Sequence, residues 1–161
     1  PVLFFEHVLL YNLSEDLPDG EFTCALDQAD IVQEGSDVTI LTYSRMRHHC
    51  LKAVEQLEAD GISVELIDLI SLKPFDMETI ARSIRKTHRV IVVEECMKTG
   101  GIGAELIALI TEHCFDDLDA RPIRLSSQDI PTPYNGNLEN LTIIQPHQIV
   151  ETAQAIVRTG L

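Results

Sequence analysis

Arg89-Val90-Ile91-Val92-Val93-Glu94 is the stretch on which the fold turns. Its four central residues are all β-branched and apolar, with no polar residue alternating between them. Such a strand has both faces covered, the situation of an inner strand in a parallel sheet. Upstream, Val38-Thr39-Ile40-Leu41-Thr42-Tyr43 reads as a β-branched strand after the turn Gly35-Ser36-Asp37. Met46, Cys50, Ala53, Val54 and Leu57 then recur at helical spacing, with Arg47, Lys52, Glu55 and Gln56 on the other face. Asp60-Gly61 closes that helix, glycine being able to take the left-handed cap conformation. Residues 64–69 form another strand, and Asp76 caps a short helix through Lys86, with Pro74 ahead of it. Downstream comes a helix with Leu106, Ile107, Ile110 and Cys114 inward, then a short strand over residues 122–126. The last helix follows Pro146, with Ile149, Val150, Ala153, Ile156 and Val157 inward. Pro131-Thr132-Pro133-Tyr134-Asn135-Gly136 is not regular structure, because two prolines and a glycine turn interrupt it. Residues 141–145 stay open between a fifth strand and a loop. Alternating strands and helices with short links imply an α/β fold of three layers, α/β/α, around a mostly parallel sheet.

The pattern fades ahead of the Gly35 turn. Residues 2–5 read as a strand that begins abruptly, and residues 6–34 as an extended arm containing the acid-, Pro- and Gly-rich Ser14-Glu15-Asp16-Leu17-Pro18-Asp19-Gly20. So long a run without periodicity is uncommon inside a compact domain, which makes it an interdomain connection. The chain opens Pro1-Val2-Leu3 without an initiator Met, so the expectation is a piece of a longer polypeptide.

Charge narrows the partners. With 26 acidic and 12 basic residues the net charge is −14, which repels phosphate backbones and anionic membrane surfaces. A basic protein partner suits this field, as does simple solubility. No apolar stretch approaches the length of a membrane span. Cys24, Cys50, Cys96 and Cys114 form no C-x-x-C pair, and Cys50 and Cys114 fall on apolar helix faces, the usage of a reducing compartment. The histidines show no H-x-x-x-H spacing for a metal.

Four groups of residues remain as site candidates. Gly100-Gly101-Ile102-Gly103-Ala104-Glu105 lies between a strand and a helix, as in dinucleotide sites. It follows the third strand rather than the first, and it lacks the full G-x-G-x-x-G, so close helix packing is the better reading. Glu94 and Glu95 end the third strand, where α/β sheets place ligands; as neighbours they face opposite sides, which favours a structural use over shared acid–base work. Asp116-Asp117-Leu118-Asp119-Ala120-Arg121 is a compact acidic turn, either solvated or a docking point for a basic partner. Arg45, Arg47, His48 and His49 gather at a helix start, where cations oppose the dipole, so an anionic group or an acidic face across an interface is one use and solvation the other. Ser44, Ser126 and Ser127 have no G-x-S-x-G setting.

These residues also resemble a family. Phe4-Phe5-Glu6-His7-Val8-Leu9-Leu10-Tyr11 is similar to the end of the pyrimidine-binding domain in β subunits of thiamine-diphosphate-dependent E1 enzymes. Asp68-Leu69-Ile70-Ser71-Leu72-Lys73-Pro74-Phe75-Asp76 resembles their "D-L-x-x-L-x-P-x-D" segment, and Asp129-Ile130-Pro131-Thr132-Pro133-Tyr134 their "D-x-P-x-P-Y" turn. Val93-Glu94-Glu95 with the glycine loop resembles the strand–loop–helix shared with transketolases. The wording of Ser44-Arg45-Met46-Arg47-His48-His49 and Glu95-Cys96-Met97-Lys98-Thr99 is most similar to the plastid and cyanobacterial pyruvate dehydrogenase branch.

The resemblance implies residues 1–34 as the end of the pyrimidine-binding domain plus an arm, and residues 35–161 as a transketolase-type C-terminal domain. It implies an α2β2 enzyme that decarboxylates pyruvate and passes the acetyl unit to lipoyl-E2. Thiamine diphosphate and Mg2+ would bind mainly outside this segment. No catalytic, cofactor-binding or metal residue is carried over, and the segment alone would be inactive. The implied partners are the E1 α subunit, a second β subunit and E2, the last meeting Asp119 in the turn Leu118-Asp119-Ala120 with Asp116 and Asp117 beside it. The implied location is the plastid stroma or, failing that, a bacterial cytoplasm. The rivals are a branched-chain 2-oxo acid dehydrogenase β subunit, a nucleotide-binding module built on the glycine loop, and a purely structural interaction domain.

Overall fold

The computed structural model describes residues 1–159 other than Val2, Phe4, Glu15, Leu17 and Pro18. The β-branched run forms the inner strand expected of it: β4 (Val90–Met97) lies between β2 (Val38–Thr42) and β5 (Ile123–Ser127), parallel to both. On its other side β2 pairs in parallel with β3 (Val64–Asp68), and β1 (Asp30–Gln33) joins β3 antiparallel at the edge, giving the order β1-β3-β2-β4-β5. Every residue of β2 and β3 is buried, as befits inner strands between two helix layers.

Strand residues alternate between two cores. Ile40, Leu66, Ile91 and Val93 pack with α1 (Met46–Ala59) and α5 (Pro146–Thr159) on one face. Leu41, Ile67, Val90 and Val92 pack with α2 (Met77–Thr87) and α3 (Gly103–Cys114) on the other. The three layers follow from this two-residue period. The buried positions of α1 are Met46, Cys50, Ala53, Val54 and Leu57, the same five that recur in sequence. Asp76 caps α2 by accepting from the Thr79 N–H at 3.0 Å. Gly61 adopts φ +77° directly after the Asp60 cap of α1.

The structure departs from the sequence reading at four places. Of the strand expected over residues 2–5, Leu3 and Phe5 are in no strand, while Val2 and Phe4 lie outside the described residues. Within the arm, residues 8–10 make a single 3-10 turn. The sheet begins ahead of the Gly35 turn, because the half-buried Ile31 and Val32 of β1 are paired against β3. Beyond the Pro-rich turn, Asn135 starts the short helix α4 (Gly136–Thr142), its side-chain oxygen accepting from the N–H groups of Asn137 at 3.0 Å and Leu138 at 3.3 Å. Leu141 and Thr142 therefore end a helix, and residues 143–145 link it to α5.

Candidate functional site

Strand β4 runs on past Glu94, with a register irregularity between Val93 and the Met97–Ser127 pair. The two glutamates thus sit in a bulged extension rather than at a strand end. Bulges re-aim side chains, and here they send two adjacent carboxylates to different tasks.

Glu94 is fully buried. Its Oε1 accepts from Arg124 Nε at 2.6 Å and the Ser126 hydroxyl at 2.8 Å. Its Oε2 accepts from the Gly103 N–H at 2.9 Å and the Tyr43 hydroxyl at 3.4 Å. A carboxylate is an acceptor only, and every one of these partners is a donor. The glycine loop is built around this side chain: a Cβ on Gly103 would stand 2.7 Å from Glu94 Oε1, and one on Gly101 2.9 Å from it. The first amide of α3, which a phosphate would need, is given to Glu94 instead. With that amide committed to Glu94 and the Glu105 side chain lining the cleft beside the loop, the loop does not fit a diphosphate. Among the described residues no cluster of three His, Cys, Asp or Glu side chains is set to hold a metal.

Glu95 turns outward to Arg45 and His7. Its Oε1 meets Arg45 Nη1 at 2.9 Å and its Oε2 meets His7 Nε2 at 3.0 Å. The Nδ1 of His7 accepts from the Leu9 N–H at 3.3 Å, so the proton resides on Nε2 and is donated to Glu95. Glu95 therefore clips the arm to the start of α1.

The basic cluster finds partners within the chain. Besides the Arg45–Glu95 pair, Arg47 stands between Asp68 at 3.8 Å and Asp30 at 3.9 Å, bridging the ends of β3 and β1. Burial raises the Asp68 carboxyl above its ordinary range, against the pull of the Ile70 N–H and Arg47. His49 Nδ1 lies 3.0 Å from the Ile144 carbonyl ahead of α5, and both histidines, His48 and His49, line a shallow cleft between α1 and Leu9, Leu10 and Leu13 of the arm. Burial, with Arg45 and Lys52 nearby, lowers the pKa of His49 despite the Ile144 contact.

The acidic turn lies at the far end of α3. Asp116 is exposed; Asp117 pairs with Arg85 Nε at 3.3 Å, and Asp119, 61% exposed, with Arg89 Nη2 at 3.9 Å. The turn is tied down through its backbone, the Asp119 N–H donating to the His88 carbonyl at 2.9 Å and His88 Nδ1 lying 2.8 Å from the Asp117 carbonyl. This leaves three carboxylates on a rigid base beside a cleft of about 630 Å³ lined by Phe115, Leu118, Ala120 and Pro122.

Two of the four thiols belong to the core. Cys50 and Cys114 are buried, and burial pushes the Cys50 thiol up to about 12. Tyr43, whose hydroxyl also lies 3.5 Å from Cys96 Sγ, has its pKa raised, first by burial and then by Cys96 and Glu94. The residues missed in sequence are Arg124, Ser126 and Tyr43, the donors around Glu94. Arg124 carries a signal: a lone cation between the apolar Ile123 and Leu125 of a strand calls for an acid nearby.

Residues 27–149 match the family model described as "Transketolase, C-terminal domain". A pyruvate dehydrogenase E1 component subunit beta from Porphyra purpurea is 62% identical over 160 residues, 99% of this chain and 48% of the relative. A chloroplastic pyruvate dehydrogenase E1 component subunit beta-3 from Arabidopsis thaliana is 56% identical over 156 residues, 97% of this chain and 38% of the relative. A solved split-gene transketolase, an inactive β4 tetramer, superposes with a TM-score of 0.73 at 27% identity, covering 88% of this chain and 45% of that one. The chain spans about half the length of the first of these relatives. With the doubly covered sheet and the glycine loop wrapped on Glu94, the match over residues 27–149 decides the assignment: the chain belongs to the transketolase C-terminal domain family.

Proposed function

We propose that this chain is the C-terminal part of the β subunit of a pyruvate dehydrogenase E1 component, an α2β2 enzyme that decarboxylates pyruvate with thiamine diphosphate and transfers the acetyl group to lipoyl-E2. The observation that carries this is the 62% identity, sustained over 99% of the chain, to a β subunit of that name. The part played by this segment is assembly and docking. Its own polar groups are committed to internal ties: Glu94 to the glycine loop, Glu95 to the arm, Arg47 to the sheet edge. Thiamine diphosphate and Mg2+ are assigned to the rest of the enzyme, since the glycine loop is shaped for Glu94 and not for a diphosphate. The α subunit and a second β subunit are the assembly partners. E2 is the docking partner, and Asp116, Asp117 and Asp119 are its contact residues, as exposed or half-exposed carboxylates on a rigid turn. The chloroplastic relatives support a plastid stroma as the location. No helix among the described residues is long and apolar enough to cross a membrane.

The test is turnover by the full-length β chain co-expressed with its α subunit, with thiamine diphosphate, Mg2+ and an artificial electron acceptor. Preference for pyruvate over a branched-chain 2-oxo acid is the expected result. Preference for the branched substrate assigns the chain to the sister enzyme, and turnover of neither by a well-assembled tetramer overturns the proposal.

A further inference from the structure

Phe115 is 68% exposed at the end of α3, immediately after the buried Cys114. A single exposed aromatic is ordinary on a protein surface. This one lines a cleft of about 630 Å³ together with Leu118, Ala120 and Pro122, and with Thr111, Asp119 and Arg121. Apolar side chains gathered beside charged ones are the make-up of an interface anchor. The fold gives Phe115 no other duty, since it belongs to neither core.

We infer that this cleft is an anchoring pocket for one apolar side chain of a basic segment in the docking partner, with Phe115 as the residue that grips it. This rests on the E2-docking reading above and adds the chemistry of the segment that binds. Two observations specify the occupant. The chain carries a net charge of −14, and three aspartates stand within four residues of Phe115, with only Asp117 closely paired, so a cationic segment suits this surface best. Arg121 lines the cleft as well, which directs the cation of the partner towards Asp116, Asp117 and Asp119 and leaves the apolar side chain to enter beside Phe115. Asp119 holds Arg89 only at 3.9 Å, longer than a hydrogen bond, so its oxygens retain acceptor capacity for an incoming Arg or Lys. The two contacts do different work: carboxylates set the encounter rate and its salt dependence, and the aromatic wall sets residence.

The experiment measures the affinity of the complete α2β2 enzyme for its purified dihydrolipoyl acetyltransferase subunit at low and at high salt. Phe115→Ala, Phe115→Leu and Asp119→Asn are compared with the unaltered enzyme, with melting temperature as the check on folding. Truncating an anchoring aromatic lowers affinity roughly tenfold. The inference requires that loss for Phe115→Ala at both salt concentrations, with the salt slope unchanged and with most of the affinity restored by Phe115→Leu. Asp119→Asn should flatten the salt slope instead. Loss with Asp119→Asn but full affinity with Phe115→Ala overturns the anchor and leaves the docking reading standing. Full affinity in all variants overturns both.

Discussion

Glu94 and the aspartates of the 116–119 turn are carboxylates of one acid-rich chain, yet they occupy opposite regimes. Glu94 is fully buried and surrounded by donors; Asp119 is 61% exposed and holds one arginine at 3.9 Å. A buried charge persists only when every lone pair is met and a counter-charge lies close. An exposed one is screened and contributes little to stability, which leaves it available to a partner. Acid at the carboxyl edge of the sheet therefore builds the fold, and acid at the far end of α3 stands at the surface. Perturbing each region separates these roles.

The largest effect falls on Glu94. Glu94→Gln keeps the shape but sets an amide NH2 against donors and leaves Arg124, 14% exposed, without its anion. Removing one member of a buried pair costs about 3–5 kcal/mol. Urea unfolding should show a loss of that size, and a loss below about 1 kcal/mol, the worth of an ordinary neutral hydrogen bond, would mean that Glu94 is not the charge that organises this edge.

Gly103→Ala attacks the same site from the other side. Its Cβ would stand 2.7 Å from Glu94 Oε1 and 2.8 Å from Cδ, and the side chain it meets is pinned by its donors. Overpacking of this kind costs about 1–3 kcal/mol. Gly136→Ala is the internal control, with open space around the added methyl, and should leave the unfolding midpoint nearly unmoved.

Asp76 stands between the two regimes, exposed in part yet hydrogen-bonded at both oxygens. It accepts from the Thr79 N–H at 3.0 Å and from the Ala29 N–H at 3.0 Å, joining the cap of α2 to the segment leading into β1. Burial alone would raise its carboxyl; those N–H groups, the Thr79 hydroxyl and Arg82 outweigh it and hold the pKa below the ordinary value. A folded pKa depressed in this way adds stability above the unfolded value of about 3.9 and withdraws it as pH falls through the lower folded value. Asp76→Ala should cost about 1 kcal/mol near neutral pH, the worth of an N-cap. The deficit should shrink below about pH 4, and a pH-independent deficit would show that the capping charge is not what Asp76 contributes.

How far the sequence carries the reader depends on where burial imposes a period. The runs at 38–43 and 89–94 and the five inward residues of α1 announce themselves because two helix layers enforce an apolar pattern. The strand β1 and the helix α4 do not. One is a four-residue edge with half-buried Ile31 and Val32, and the other buries no residue at all, so neither carries a period. Of the site, the glycine loop and the acidic turn stand out in sequence as composition. The ring of donors on Glu94 does not, because Tyr43, Arg124 and Ser126 are brought to it by strand order and a bulge. Adjacent Glu94 and Glu95 look alike in sequence, and only the sheet assigns one to the interior and the other to the arm.

The smallest effect on stability belongs to Asp119→Asn, and it is the most informative about recognition. The side chain is exposed, its arginine contact is long, and the turn is held by the His88 contacts to its backbone rather than by this carboxylate. Unfolding should shift by less than about 0.5 kcal/mol, as for surface substitutions away from special features. Binding of the α2β2 enzyme to E2 should nevertheless weaken and lose part of its salt dependence, because a charge that the fold does not need is one that a basic partner can use. A variant that unfolds more easily but binds as before would invert the assignment, making Asp119 a structural acid like Glu94 and moving the docking surface elsewhere on the chain.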